Sequence, residues 1–404
     1  MSLSEKQKQI LTFPYSGKSA LICDGAVRSG KTSIMSLSFI LWAMGNFSNQ
    51  NFGICGKTVI SAERNVIKPL LGIKYLREQF TLHFANHILT VSRGRKTNTF
   101  YVFGGKDEAS YMLIQGVTLA GVFLDEVALM PESFVNQALA RCSVEGSKYW
   151  FNCNPKGPQH WFYREWILDL EHKNNALHLH FLLDDNPSLS EAKKQEYYSS
   201  YSGVFYDRYI LGKWVAADGL IYPDVANGLG IVAPQQRQYV KFYISIDYGT
   251  LNPFSAGLYG LSKGVWYRFD EYYHSGRETR KQLTDSEYYS ELEKLAGKRI
   301  VEAVIIDPSA ASMTAEIRKH GRFRVIGAKN DVVDGIRETA KAFRLGELMV
   351  TDNCSGAITE FKSYHWDDKN QEDKPVKEND HAMDEIRYFV NTVIANHGGV
   401  TIGW

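Results

Sequence analysis

Apolar side chains along this chain fall into two kinds of pattern. Short apolar runs predict strands, and longer stretches with apolar positions every three or four residues predict helices. From Ser19 to about Tyr149 the two alternate. SALICD, NFGICG, TNTFYVFGG, GVFLDE and KYWFNCN read as strands, the last stopped by Pro155, and HLHFLL reads as a later one. KTSIMSLSFILWAM, a stretch starting near Ala62, and ESFVNQALARC read as helices. Strand–helix alternation of this kind predicts α/β units around a parallel sheet.

From Asp184 to about Tyr222 the pattern changes: DDNPSLSEAKKQEYYSSY and VFYDRYILGKW read as short helices, and AADGLIYPDVANGLG is rich in Gly, Pro and Asp. A second α/β pattern begins at KFYISIDYG. Three strands follow closely (FYISID, SAGLYGL, VWYRFDEYY), then helix, strand, helix, strand, helix and strand through DSEYYSELEKLAG, AVIIDPS, ASMTAEIRKHG, FRVIGA, VVDGIRETAKAFRLG and LMVT. HAMDEIRYFVNTVIANH closes the pattern as an amphipathic helix. The expected architecture is an N-terminal α/β domain over 1–183, a helical linker and hinge over 184–240, and a second α/β domain over 241–404. The early packed strands of the second domain fit a mixed ribonuclease-H-like sheet.

Composition changes this picture little. At 404 residues the chain exceeds what one core ordinarily serves. Its 44% hydrophobic and 23% charged content and net charge of +1 suit a globular protein and exclude a polycation that coats nucleic acid throughout. The five cysteines show no paired short spacing, which argues against a zinc site or a disulfide framework. MSLSEKQKQILTF lacks a basic region followed by a long apolar run, and the most apolar stretch, around Ile34 to Met44, is too short to cross a bilayer. No membrane partner is expected.

The first candidate chemistry follows the first strand. Gly25-Ala26-Val27-Arg28-Ser29-Gly30-Lys31-Thr32 is a phosphate-loop pattern with a strand before it and a helix after it. Backbone N–H groups of such a loop point at phosphate oxygens. Lys31 brings charge to the β and γ phosphates, and the Thr32 hydroxyl is placed to ligate the Mg²⁺ of ATP. GVFLDE ends in Asp125 and Glu126, suited to holding Mg²⁺ and to activating water for hydrolysis. KYWFNCN ends near Asn152 and Asn154, which read either as sensors of the γ-phosphate or as residues of an Asn-Pro turn. Arg28 reads either as a transition-state arginine, in its own subunit or a neighbour's, or as a solvent-facing loop residue.

The second is a carboxylate set. Asp247 ends one strand, Asp307 ends another, and Asp384 lies on the final helix with His381 one turn earlier on the same face. Three acids converging from such elements repel one another, and a pair of Mg²⁺ or Mn²⁺ ions cancels that repulsion while activating water for phosphodiester cleavage. Each acid alone has an ordinary structural explanation; the set and its order favour a metal site. Glu271 and Asp380 are secondary candidates, more readily structural than ligating.

The order of GAVRSGKT, FLDE, NCNP, YILGKW with DGLIYPDV, SIDYG, IIDPS and HAMDEIRY resembles the large terminase subunits of tailed bacteriophages along nearly the whole chain. That resemblance implies an ASCE-type P-loop ATPase that drives double-stranded DNA into a procapsid, and a ribonuclease-H-like endonuclease that cuts concatemeric DNA. It implies Lys31 and Thr32 for phosphate and Mg²⁺, Asp125 for the metal, Glu126 as catalytic base, and Asn152 to Asn154 for coupling hydrolysis to motion. Asp247, Asp307 and Asp384 would be the nuclease ligands with His381 close by, and Gln7 would read adenine. Implied partners are DNA, a small terminase subunit, the portal protein and further copies in a docked ring (a pentamer), with a monomer permitted in solution. The implied location is the host cytoplasm.

Two other classes fit parts of the sequence. A repair helicase–nuclease would need additional helicase motifs and a second motor domain, and neither is visible. A non-enzymatic assembly protein switched by ATP would leave Glu126 without a use.

Overall fold

The computed structural model describes residues 3–249, 253–275, 282–367 and 373–395. They form two compact units, 1–198 with 204–216, and 199–203 with 217–404. The segment 184–240, which the sequence sets apart as a linker, is shared between the two. In the second unit, Ile221, Tyr222 and Val225 of the Gly- and Pro-rich stretch are buried, and Pro223–Ala226 forms a short helical turn.

The first unit is built on eight strands: β1 Ala20–Gly25, β2 Asn51–Gly56, β3 Thr81–Ala85, β4 Ile88–Arg93, β5 Lys96–Gly104, β6 Gly121–Asp125, β7 Lys148–Asn152 and β8 Ala176–Phe181. Their order is β3-β4-β5-β2-β6-β7-β1-β8. From β5 to β8 all pairs are parallel, while β3, β4 and β5 pair antiparallel. Strands buried on both faces read as continuous apolar runs. In β1, Leu21 and Cys23 pack into one core layer with Phe39, Phe52, Phe123 and Trp150, while Ala20 and Ile22 pack into the other with Phe134, Phe151 and Phe162. The helical stretch that the sequence suggests from about Ala62 is present as short helical segments between Val59 and Gln79, and the β3–β4 hairpin follows it where the sequence suggests no strand. Asn86 and His87 turn it with positive φ angles of 50° and 62°, so the turn is of a kind that joins strands tightly.

One topological detail positions the chemistry. β7 lies between β1, which leads into the phosphate loop, and β6, which ends in Asp125. The inserted strand is the ASCE arrangement, and it brings the C-terminal end of β7 between the loop and the acidic strand end.

The second unit has seven strands: β9 Ile231–Val232, β10 Lys241–Asp247, β11 Phe254–Ser262, β12 Val265–His274, β13 Ala303–Ile306, β14 Val325–Gly327 and β15 Leu348–Thr351. Their order is β14-β13-β10-β11-β12-β15-β9. β10, β11 and β12 form an antiparallel meander, with parallel strands added on either side. This is the mixed ribonuclease-H-like sheet that the sequence predicts. Helices Asp285–Ala296 and Ala311–His320 cover one face through Tyr288, Leu292, Met313 and Ile317 against Ile244, Ile246 and Leu258. Helix His381–Phe389 lies along β10 on the other face, where Ser245 Oγ donates to the Glu385 carbonyl at 2.8 Å. Residues 396 and 397, the predicted end of that helix, lie outside the described residues. Among the described residues no helix is long and apolar enough to cross a membrane.

Candidate functional site

The phosphate loop is held by its neighbours before any nucleotide arrives. Gly25 has φ of 121°, and a Cβ there would lie 2.0 Å from the Phe181 carbonyl oxygen, so only glycine lets β1 turn against β8. The Ala26 N–H donates to Phe181 O at 2.7 Å and the Val27 N–H to Tyr209 O at 2.9 Å. The Asn186 amide donates to Arg28 O at 2.7 Å. Arg28 itself is exposed and takes a left-handed conformation at φ 56°. The loop ends at Gly30, from which helix Lys31–Asn46 starts without a side-chain cap, leaving its first N–H groups for an anion.

Lys31 is buried and turned onto the loop. Its Nζ donates to Ala26 O at 2.6 Å, Ser29 Oγ at 3.1 Å, Gly25 O at 3.3 Å and Asn154 Oδ1 at 3.3 Å. Burial lowers its pKa, against the opposing pull of Asp24 and Asp125 nearby. A phosphate would offer this ammonium a charged acceptor, stronger than the neutral oxygens it holds. Gln7, buried at the N-terminal helix Glu5–Thr12, lies against the same loop: a Cβ on Gly30 would meet its Nε2 at 2.7 Å.

The β6 and β7 ends complete this site. Thr32 Oγ1 donates to Asp125 Oδ1 at 3.1 Å, and Asn152 Nδ2 reaches the same carboxylate oxygen at 2.5 Å and Thr32 Oγ1 at 2.8 Å. Burial raises the Asp125 pKa, and these two hydrogen bonds oppose the rise. Asn152 Oδ1 is buried without a partner among the described residues. A hydroxyl, a carboxylate and an orphaned amide oxygen are hard oxygen donors, the set a Mg²⁺ ion prefers. Glu126 follows in a left-handed conformation, φ 60°. Every nucleotide-site residue expected from the sequence except the exposed Arg28 is therefore in one connected group or beside it.

Sequence reasoning missed the layer beneath. Asp24, 1% exposed, accepts from Trp214 Nε1 at 2.7 Å and faces His178 Nε2 at 2.9 Å and His180 Nδ1 at 3.0 Å. Burial alone would raise its pKa, but the two histidines and the indole outweigh burial and hold the carboxyl well below its usual range. The hydrogen bond to Asp24 raises the pKa of His180. The signal was present in HLHFLL, where residues two apart on a strand share a face.

In the second unit, Ile246 of β10 is in register with Ile306 of the parallel neighbour β13, so Asp247 and Asp307 leave adjacent strand ends side by side. Asp384, on the final helix, is the third acid. Tyr388, one turn later, donates to Asp307 Oδ2 at 3.3 Å; burial and the field of Asp247, Asp384 and Asp307 together push its phenol well up. The structure thus gathers the three predicted acids at one end of the sheet.

Asp247 and Asp384 stand beside cationic or basic side chains, and Asp307 is held by neutral donors. His381 Nδ1 stands 2.8 Å from Asp247 Oδ2. Arg387 Nη2 stands 2.9 Å from Asp384 Oδ1, and Lys377 Nζ lies 3.4 Å from Asp384 Oδ2 and 3.2 Å from Asp380 Oδ2. Asp307 accepts from the Ser309 N–H at 2.7 Å and from Asn330 Nδ2 at 3.1 Å. Burial raises the Asp247 pKa with help from Asp384 and Asp380, and His381 opposes it. Asp307 goes the other way, because its hydrogen bonds outweigh its burial. Among the described residues no three acid, His or Cys groups are close enough to hold one ion. The donors are all carboxylate oxygens whose mutual repulsion helps to raise the Asp247 pKa, which suits a divalent cation, but the protein's own cations stand beside Asp247 and Asp384.

The two secondary candidates make contacts that hold local structure. Glu271 pairs with buried Arg268 at 2.8 Å and accepts the Gly356 N–H at 2.6 Å at the start of helix Ser355–Phe361. Asp380 is the residue preceding helix His381–Phe389 and pairs with Lys377. Glu360, which the sequence did not single out, accepts the Ala382 N–H at 2.6 Å and the Met383 N–H at 3.2 Å, anchoring the helix that carries Asp384.

Comparison with known proteins matches both halves of the chain. Residues 22–224 match the family model described as terminase large subunit, T4likevirus-type, N-terminal, and residues 262–392 match the terminase RNaseH-like domain. The large terminase of a thermophilic bacteriophage is 50% identical, with a TM-score of 0.92, over 98% of this chain and 100% of that one. That protein has also been solved in complex with ADP and with ATP-gamma-S. The terminase large subunit of Escherichia phage T5 is 21% identical over 290 residues, 67% of this chain and 65% of that relative. The chain belongs to the phage terminase large-subunit family, with an ATPase domain followed by an RNaseH-like nuclease domain.

Proposed function

We propose that the chain is the motor and nuclease of DNA packaging: it hydrolyses ATP to move double-stranded DNA into a procapsid, and it cuts concatemeric DNA. The observation that carries the ATPase half is the Thr32–Asp125–Asn152 group beside the buried Lys31. In this reading Lys31 leaves the loop carbonyls for the β and γ phosphates, and Gln7 reads the base. Thr32, Asp125 and the orphaned Asn152 oxygen would hold Mg²⁺. Glu126 takes a proton from the attacking water as the new bond to the γ-phosphorus forms and the bond to ADP breaks. Asn154, bonded to Lys31 through its side chain, moves when that lysine does.

In the nuclease half Asp247, Asp307 and Asp384 would hold two Mg²⁺ or Mn²⁺ ions, which supply an activated water and stabilise the leaving oxygen. Lys377 and His381 neutralise the acids in the absence of metal. The partners that go with this reading are a small terminase subunit, the portal protein and further copies in a docked ring, in the host cytoplasm.

The test is cleavage of supercoiled plasmid with EDTA, Mg²⁺ or Mn²⁺, run with Asp307→Asn, beside ATP turnover of Glu126→Gln. Metal-dependent cleavage lost in Asp307→Asn and turnover lowered by on the order of 10²-fold in Glu126→Gln are expected. Full cleavage by Asp307→Asn would remove the nuclease site, and unchanged turnover in Glu126→Gln would remove Glu126 as the catalytic base.

A further inference from the structure

A cleft of about 330 Å³ opens in the second unit, away from the acid site, lined chiefly by Arg237, Tyr239, Phe242, Phe269, Arg299 and Gln235. Its place in the fold separates it from the acids. Phe242 lies near the start of β10 and Asp247 at its end, roughly 16 Å apart at ~3.3 Å per residue. Odd and even positions of β10 face opposite sides, so Phe242 and Asp247 also face opposite sides of the sheet.

The cleft is built around two cations. The Arg299 guanidinium lies 5.4 Å from the Phe269 ring centre, and that of Arg237 lies 4.3 Å from the Tyr267 ring centre. Tyr239 stacks on Phe269 at 4.6 Å and 15°. Gly260 of β11 makes that stack possible, because a Cβ there would meet Tyr239 Cδ1 at 2.5 Å. Among the described residues neither guanidinium forms an ion pair. Arg237 donates to the backbone and side-chain oxygens of Gln235, each at 3.4 Å, and Arg299 to Ala296 O at 3.4 Å. Burial raises the Tyr239 pKa, and Arg237 and Arg299 oppose the rise. Val240 and Ile300, the chain neighbours of Tyr239 and Arg299, are 73% and 85% exposed.

We infer that this cleft is a docking site for an acidic, partly apolar peptide segment of a partner protein, its carboxylates taken by Arg237 and Arg299 and its apolar side chains by the aromatic wall, Val240 and Ile300. Charge complementarity asks for an anionic occupant, since two guanidiniums held on rings without a carboxylate are ready for bidentate carboxylate contacts. Shape and chemistry favour peptide over nucleic acid. The Phe269 face is shared between Tyr239 and Arg299, so bases have little ring to stack on, and the exposed aliphatics have no role against a phosphate backbone. Arg and aromatic residues are also the types that carry most binding energy in protein interfaces. This site does not depend on the proposed ATPase or nuclease chemistry.

The test uses the full chain and a fluorescein-labelled peptide of alternating Glu and Leu, followed by anisotropy at low and moderate salt. Saturable, salt-weakened binding is expected, at least tenfold weaker in Arg237→Ala/Arg299→Ala, with ATP turnover and plasmid cleavage unchanged. Arg299→Gln alone should weaken binding severalfold and guards against misfolding of the double variant. Absence of saturable binding, or binding by the folded variants equal to the parent, would overturn the assignment. So would loss, in the same variants, of affinity for oligo(dT) or a 30-base-pair duplex with peptide binding retained, which would assign the cleft to nucleic acid.

Discussion

The two candidate centres solve the problem of holding charge in opposite ways. The nucleotide site satisfies itself with neutral groups: Lys31 rests on carbonyls and a hydroxyl, and Asp125 accepts from Thr32 and Asn152. The acid site satisfies itself with cations: Arg387 and Lys377 on Asp384, His381 on Asp247. Neutral partners yield to a charged ligand at little electrostatic cost, whereas a cation partner competes directly with an incoming metal. The first site is therefore close to its binding arrangement as folded, and the second has first to exchange one set of positive charges for another.

The buried Asp24 is where the nucleotide side of this comparison is easiest to break. Its partners beneath the loop come from β8 and the 204–216 segment together. Asp24→Ala leaves the Trp214 indole and two imidazoles without their acceptor. Thermal or urea unfolding should show a loss of ~3 kcal/mol, as for breaking a buried charged pair. A loss within the few tenths typical of surface changes would mean that water replaces the carboxylate and that the cluster is not a support.

At the acid site the sharper perturbation removes a competitor. Lys377→Met takes away the exposed ammonium that faces both Asp380 and Asp384. The Mn²⁺ concentration for half-saturation, read by electron paramagnetic resonance and independently by plasmid cleavage, should fall by roughly threefold to tenfold, about 1 kcal/mol at ordinary surface screening. An unchanged or higher requirement would show that Lys377 does not compete with metal.

The smallest expected effect is a pH slope in the first unit. His180 has its folded pKa raised by Asp24, so its contribution to stability is complete below the unfolded value of about 6.5 and is lost as pH rises through the raised folded value. Asp24 has its folded pKa depressed, so its contribution is present above about 3.9 and is lost only as pH falls toward the acid range. Between about pH 6.5 and 8 stability should therefore decline shallowly, by less than ~1 kcal/mol because His180 is partly exposed. The decline should vanish in His180→Asn. A slope that survives that substitution would assign it to another group.

What could be read in advance follows the same division. GAVRSGKT is eight consecutive residues whose glycines, lysine and threonine act where they stand in the chain, so the loop, its preceding strand and its helix were all legible. The ends of β6 and β7 were legible because an apolar run that stops at Asp or Asn announces a strand end. Asp247 and Asp307 could be named as candidates for the same reason, and Asp384 from its place on the amphipathic final helix, but not their company. Arg387 is a local partner, three residues after Asp384 on one helix, but Lys377 and Asn330 meet the acids through folding, and nothing in a charged loop says which carboxylate each will face. Asp24 was passed over because one acid before a phosphate loop carries no pattern; its meaning comes from His178 and Trp214, far along the chain. The β3–β4 hairpin was missed because its alternation, with polar Thr, His and Ser, is the weak signature of strands covered on one side only.

The sequence by itself determined the elements, the two α/β patterns, the phosphate loop and the acids at strand ends, since local periodicity and contiguous motifs carry that information. Tertiary structure decided the rest: that β7 enters between β1 and β6, that the helix of Asp384 lies along β10, and that Arg237 and Arg299 share one cleft. Those outcomes depend on which side chains meet after distant segments pack, and burial, charge and orphaned polar atoms acquire their values only then.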